Sequence, residues 1–246
     1  VVGLVHDLNF LHYPENFAPG APRELRRSIQ NWLQSADAVT VLSEAGKEEI
    51  LALAEKTPRA RVEIIPNAIK TLGQEEVAQQ RADEPPTFLY PATALAHKNH
   101  WGLLQAVRKL ALGEIPFQVI MTGSRIDEIG GNEPLANATV EKARQFYIEH
   151  RKVLAKTVSF RTARDSDELT RLYREAHRVI LPTQYEGFGL PLLEAISHGT
   201  RVLCSSIPQF HEQVDRYELG AWVDFFDGDD PDSIANAMKR ALHDQK

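Results

Sequence analysis

The stretch from Val179 to Gly199, VILPTQYEGFGLPLLEAISHG, constrains the fold more than any other part of the chain. A short branched apolar run breaks into a glycine loop, and a helix pattern begins at once. Val179 to Leu181 has the length and branching of a buried strand, Gly187 and Gly189 bracket Phe188, and Pro191 suits the first position of a helix. A strand that feeds a helix through glycines leaves the free amides of the helix N-terminus facing outward, where they carry about half a positive charge and favour phosphate or another anion. Two carboxylates frame the loop: Glu186 precedes the glycines and Glu194 lies in the first helical turn, with seven residues between them. Acceptors in those places suit sugar hydroxyls, and the amides between them suit a diphosphate.

Strand and helix patterns alternate along the rest of the chain. Strands are expected at 1–7, 36–43, 61–67, 87–93, 116–123, 158–160, 201–206 and 221–226, besides the one at Val179. Helices are expected over 23–35, with Leu25, Ile29, Trp32 and Leu33 on one stripe, and over 44–56. Another begins near Lys98 and carries Trp101, Leu104, Val107 and Ala111 at helical spacing, and a long one is expected over 138–155. Asp165 with Glu168 has the form of a capping box ahead of Leu169, Leu172, Tyr173 and Ala176, and Asp230 with Pro231 caps a final helix. Such alternation implies parallel sheets with right-handed crossovers. Residues 67–86, poor in apolar side chains and ending Asp-Glu-Pro-Pro, read as a linker between two Rossmann-like units, 1–66 and 87–246. The first unit has few strands and Val1 opens inside a strand-like run, so the expectation is a piece of a longer chain.

The Glu-Gly-Phe-Gly-Leu-Pro run, followed by Glu194-Ala195 and a later glycine, resembles the signature of the retaining nucleotide-sugar glycosyltransferases of GT-B fold, specifically their large fourth family. The resemblance implies two Rossmann-like domains, an acceptor-side one at 1–66 and a donor-binding one at 87–246. It also implies a nucleoside diphosphate sugar as donor, with no further cofactor and no metal, and a saccharide or lipid-linked acceptor in cell-surface polysaccharide or glycan assembly. In that reading Lys98, in His97-Lys98-Asn99, clamps the diphosphate, Glu186 holds the hexose and Glu194 the ribose hydroxyls, and Gly187, Phe188, Gly189 and Leu190 form the anion-binding loop. A lysine at a helix start opposes the helix dipole unless an anion shares the place, which agrees with that role. Many members carry an arginine five or six residues before this lysine; Thr93 and Ala92 stand there in this chain, so one phosphate contact is either missing or replaced by the Thr93 hydroxyl. His6, in Val-His-Asp, matches a histidine that approaches the donor sugar from the opposite domain, although on the residues alone a core histidine fits equally. Gly123 and Arg161 occupy places near the nucleotide, and Ala68 and Lys70 depart from the family's interdomain turn.

Composition narrows the alternatives. A chain of 246 residues, 43% hydrophobic, can bury one large core or two modest ones. A net charge of -6, with no basic block interleaved with aromatics, excludes a general nucleic-acid binder. Cys204 is the single cysteine and sits in an apolar run, so no disulfide framework exists within the chain. No apolar run approaches the ~20 residues that span a bilayer, and a cytoplasmic location is expected, with Arg23, Arg26 and Arg27 offering at most a weak peripheral contact to anionic lipid. The acidic run Asp227 to Asp230 has the look of a metal motif, but it immediately precedes a helix, where aspartate is an ordinary cap. His97 and His100 lie one turn apart without an evident third ligand. The rivals are an epimerase or phosphorylase on the same two-domain plan, and a non-catalytic sugar-nucleotide-binding or scaffold protein.

Overall fold

The computed structural model describes residues 1–68, 85–163 and 165–244. The expected linker at 67–86 therefore lies mostly outside the described residues. Before it, β1 (Val2–Leu4), β2 (Ala38–Val41) and β3 (Arg61–Ile64) form a parallel sheet in the order β1-β2-β3. Its helices are α1 (Asn9–His12), α2 (Ala21–Ser35) and α3 (Glu44–Ala52). After it, β4 (Thr87–Pro91), β5 (Gln118–Thr122), β6 (Val158–Phe160), β7 (Arg178–Leu181), β8 (Val202–Ser205) and β9 (Val223–Phe226) make a six-stranded sheet in the order β6-β5-β4-β7-β8-β9. All of its pairings are parallel. The helices there are α4 (His100–Ala111), α5 (Asp127–Gly130), α6 (Ala138–Glu149), α7 (Arg151–Leu154), α8 (Ser166–Glu175), α9 (Leu190–Ser197), α10 (Pro208–Arg216) and α11 (Pro231–His243).

The second sheet is covered on both faces, as its near-continuous apolar strands require. Phe88, Tyr90, Ile180 and Leu203 face one core with Leu103, Val107, Ala143 and Met238 from α4, α6 and α11. Leu89, Val179, Leu181 and Cys204 face the other with Tyr173, Leu192 and Phe210 from α8, α9 and α10. Leu42, which follows β2, belongs to this second core, so the first sheet is anchored beside the glycine loop. The first sheet's own core is built on Val5, Ile29, Leu33, Val39 and Ile50.

Several expectations shift by physical causes. In α2 only Ile29 and Leu33 are buried; Trp32 is 38% exposed although its ring lies against Gly3, where an added Cβ would stand 2.9 Å from it. The helix expected over 44–56 stops at Ala52, and the one over 138–155 breaks at His150, whose φ of -105° and ψ of 18° leave the helical region. The helix α10 was not among those expected, although Ile207, Phe210 and Val214 lie at helical spacing and pack into the second core; Gln209 and Gln213 share its buried side. Among the described residues no helix is long and apolar enough to cross a membrane.

The acidic run is spent on the chain itself: Asp230 Oδ1 accepts from the Asp232 amide at 2.8 Å as the cap of α11, and Asp227 Oδ1 accepts from the Asp229 amide at 2.9 Å. Asp230→Ala should therefore lower unfolding free energy by about 1 kcal/mol. Urea denaturation with added magnesium or manganese should give the same loss as in EDTA; a loss that appears only with metal present would make the run a ligand set.

Candidate active site

The strand order reverses between β4 and β7, and ligands in open α/β sheets bind beyond the carboxyl ends of the strands at such a switch point. A cleft of 540 Å³ lies there, lined by Ala92 and Thr93 after β4, Gly123 and Ser124 after β5, Thr162 and Ala163 after β6, and Tyr173, Pro191 and Glu194 from the helices beyond. Gly189, at a φ of 88°, caps α9 from the left-handed region, and Pro191 is the second residue of that helix rather than the first, still within the turn whose amides lack intrahelical partners. A side chain on Gly189 would also strike Phe210, 2.6 Å from its Cβ position. Glu194 is the fifth residue of α9, beyond the first turn where it was expected, and is fixed within the cleft by Tyr173, whose buried phenol donates to Oε2 at 2.8 Å and whose ring stacks on His198. Burial, then the carboxylate's charge, raises the Tyr173 pKa well above its ordinary value, so the phenol stays a donor.

Next to the cleft, Lys98 Nζ donates to Glu186 Oε1 at 2.6 Å, with side-chain exposures of 14% and 12%. Lys98 does not lie on α4. It ends a 3-10 turn, Ala96–Lys98, and Asn99 caps α4 from a φ of 57° by accepting from the Gly102 amide at 3.0 Å. The backbone sets the ion pair. The His97 carbonyl accepts from Thr183 Oγ1 at 3.1 Å and from the Gln184 amide at 2.8 Å, and the Lys98 carbonyl accepts from the buried Tyr90 phenol. These bonds tie the turn before α4 to the loop after β7, so the two side chains meet.

Residues of the first sheet meet the site next to these same positions. Asn9 and Asn16 both donate to His97 Nδ1 at 3.1 Å. The phenol of Tyr185 accepts from the Leu8 amide at 3.0 Å and donates to Glu49 Oε2 at 2.9 Å. Ser43 Oγ donates to the Gly187 carbonyl at 3.0 Å. Gly187 has no room for a side chain, since a Cβ would stand 2.2 Å from the His6 carbonyl.

The expected site residues thus divide. Thr93, Gly123 and Glu194 line the cleft; Lys98 and Glu186 pair beside it. Gly187 and Gly189 shape the loop, and Leu190, with Glu194 and Tyr173, borders an adjoining groove. Phe188 is 5% exposed and packs into the core, so its contribution is to anchor the loop and not to touch a ligand with its ring. His6 brings its backbone to Gly187 while the residue is exposed. Arg161, expected near the nucleotide, lines a different groove with Glu175 and Thr87, because the chain leaving β6 turns Thr162 and Ala163 to the cleft instead. His97 and His100 are structural. His100 Nε2 donates to the Thr93 carbonyl at 3.1 Å, and both rings are buried. Sequence reasoning missed Tyr173, which passes for a core stripe residue, and Gln213, whose side-chain amide donates to the Phe188 carbonyl. A buried glutamine carries no distinguishing signal of its own, even in a helix whose apolar stripe of Ile207, Phe210 and Val214 is readable.

The model of the family described as glycosyl transferases group 1 matches residues 74–246. The chain belongs to that family. The chain is 27% identical to the O-antigen chain mannosyltransferase B of Escherichia coli over 97% of its own length and 60% of the relative's. It is 23% identical to the O-antigen chain mannosyltransferase RfbU of Salmonella typhimurium over 96% of its length and 59% of the relative's. The chain thus spans little more than half of these relatives. Among solved structures, Anabaena HepE in complex with UDP and glucose superposes with a TM-score of 0.74 at 18% identity, covering 99% of this chain and 62% of that one. Sucrose-phosphate synthase from Thermosynechococcus elongatus gives 0.72 at 22% identity, covering 99% and 58%. The fold is that of the GT-B glycosyltransferases.

Burial, then the Lys98 charge, holds His97 down to about 3, and burial holds His100 down to about 4 against the pull of its bond to Thr93. Both rings are neutral in the fold, while in the unfolded chain they take up protons near pH 6.5. The stabilisation is therefore complete above about pH 6.5 and is lost progressively as pH falls from there towards 4 and 3. Protonation of His97 would also set a donor against the two asparagine amides. Thermal midpoints of the parent should fall between pH 7.5 and 5, and more gently in His97→Asn; equal slopes would remove His97 from the account.

Proposed function

We propose that this chain carries the donor site of a retaining, metal-independent hexosyltransferase that moves a sugar from a nucleoside diphosphate to a saccharide or lipid-linked acceptor in cell-surface polysaccharide assembly. The observation that carries the reading is the Lys98–Glu186 ion pair on the loops that follow β4 and β7; Thr93 from the first loop and Pro191 just after the second line the cleft together with Glu194. Glu194, held by Tyr173, accepts from the ribose hydroxyls. The amides at the start of α9 and the Lys98 ammonium face the diphosphate and stabilise the charge that grows as the bond from anomeric carbon to phosphate oxygen breaks, the greatest help such a site gives the reaction. Glu186, released from Lys98 by the incoming phosphate, accepts from hexose hydroxyls. The acceptor oxygen attacks on the face the phosphate leaves, and its proton passes to that phosphate. His6, at the mouth of the loop, approaches the sugar from the other sheet. Mannose is the hexose favoured by the relatives' names, and cytoplasmic use of the donor agrees with this chemistry.

A thermal-shift panel of UDP-, GDP- and ADP-sugars selects the donor, and calorimetry in EDTA then measures it. Binding should persist in EDTA, and Glu194→Ala should weaken the parent nucleotide by about 1 to 3 kcal/mol through loss of charge-assisted hydrogen bonds. Binding that vanishes in EDTA and returns with manganese would contradict the metal-independent reading. Unchanged affinity in folded Glu194→Ala would remove that carboxylate from the donor site.

A further inference from the structure

The amino ends of the strands in the larger sheet carry a second concentration of charge, on the edge opposite the donor cleft. Arg178 opens β7, Arg201 precedes β8 and Trp222 precedes β9. The parallel register pairs Val179 with Val202 and Val202 with Val223, which brings these residues side by side. Arg178 is 1% exposed. Its Nη1 donates to the His177 carbonyl at 2.8 Å, whereas its Nε and Nη2, and the Nε of Arg201, meet no acceptor among the described residues. The Nε and Nη2 hydrogens are the parallel pair of the guanidinium fork, the edge that grips a carboxylate or phosphate with two bonds.

Arg178 lines a cavity of 220 Å³ together with Arg174, Gly199, Thr200, Arg201 and Trp222. Counter-charge nearby is incomplete. Asp224 approaches Arg201 Nη2 at 3.6 Å and is about half exposed, and its field and that of Asp244 reach Arg178 without a hydrogen bond. Burial, then the Arg201 charge, lowers the Arg178 pKa, which marks a guanidinium whose partner is weak. A buried cation is costly unless paired and hydrogen-bonded. Water supplies acceptors but leaves both charges in place, while a tetrahedral oxyanion supplies acceptors and charge together.

We propose that this cavity binds a small tetrahedral oxyanion of the phosphate class, held by the Arg178 and Arg201 side chains that line it. The strand between it and the donor loop is four residues long, about 13 Å at the usual rise. An anion held there does not compete with the donor, and the proposal stands apart from the donor chemistry.

The test titrates inorganic phosphate against the protein at constant ionic strength, reading the thermal midpoint and tryptophan emission, with Trp222→Phe to assign the emission. A saturable rise in midpoint is expected, and Lys98→Met should keep it. Arg178→Met, which replaces a buried charge by an apolar chain of similar length, should fold and show no saturable response at tenfold higher phosphate. Arg201→Gln should bind at least tenfold more weakly, and it decides alone if Arg178→Met does not fold. A parent response no different from chloride, variants that respond as the parent does, or a response abolished by Lys98→Met would each overturn the proposal.

Discussion

An ammonium and a carboxylate in contact at the mouth of a glycine loop, each mostly withdrawn from water, govern how the rest of this molecule is arranged. Such a pair returns little net stability, because the attraction at close range is offset by the desolvation of both ions. Its value lies in what can replace it. In the proposed donor reading, a diphosphate entering beside Lys98 offers more charge than Glu186 does, so the lysine would change partners without being left bare and the glutamate would be freed to accept from hydroxyls. The surrounding structure serves to hold both side chains in reach. The His97 carbonyl is bonded to Thr183 and Gln184, the Lys98 carbonyl to Tyr90, and the loop is pinned through Phe188 and Gln213.

The smaller sheet acts on the same point. Asn9 and Asn16 grip His97, one residue before Lys98; Leu8 and Glu49 grip Tyr185, one residue before Glu186; Ser43 and the His6 backbone press on Gly187, one residue after. A change in how the sheets meet would therefore be felt first at the ion pair. The neutrality of His97 belongs to this joint, because only an unprotonated Nδ1 can accept from both amides.

Much of this was legible in the sequence, for local reasons. The alternation of strands and helices, the buried strand before the glycines and the helix after them follow from short-range pattern and from the backbone freedom of Gly189. The acidic run was readable as a cap because Pro231 follows it directly. What failed were inferences that depend on distant partners. Nothing in the spacing tells that Tyr173 reaches Glu194, that Gln213 closes on the Phe188 carbonyl, or that Arg161 turns from the cleft while Thr162 faces it. The helix α10 was passed over although Ile207, Phe210 and Val214 stand at helical spacing, because Gln209 and Gln213 interrupt the apolar side that it buries. The unpaired edge of Arg178 likewise emerges only when strand register sets it against Arg201.

The most direct test of partner exchange compares Lys98→Met and Glu186→Gln in calorimetric binding of the nucleoside diphosphate and of its sugar ester. Lys98→Met should weaken both ligands. Glu186→Gln should leave the bare diphosphate unchanged or tighter, since the lysine is released beforehand, and should weaken the sugar ester by roughly tenfold or more, the scale of a lost charge-assisted hydrogen bond. Equal weakening of both ligands by Glu186→Gln, or no effect of Lys98→Met on either, would contradict the account.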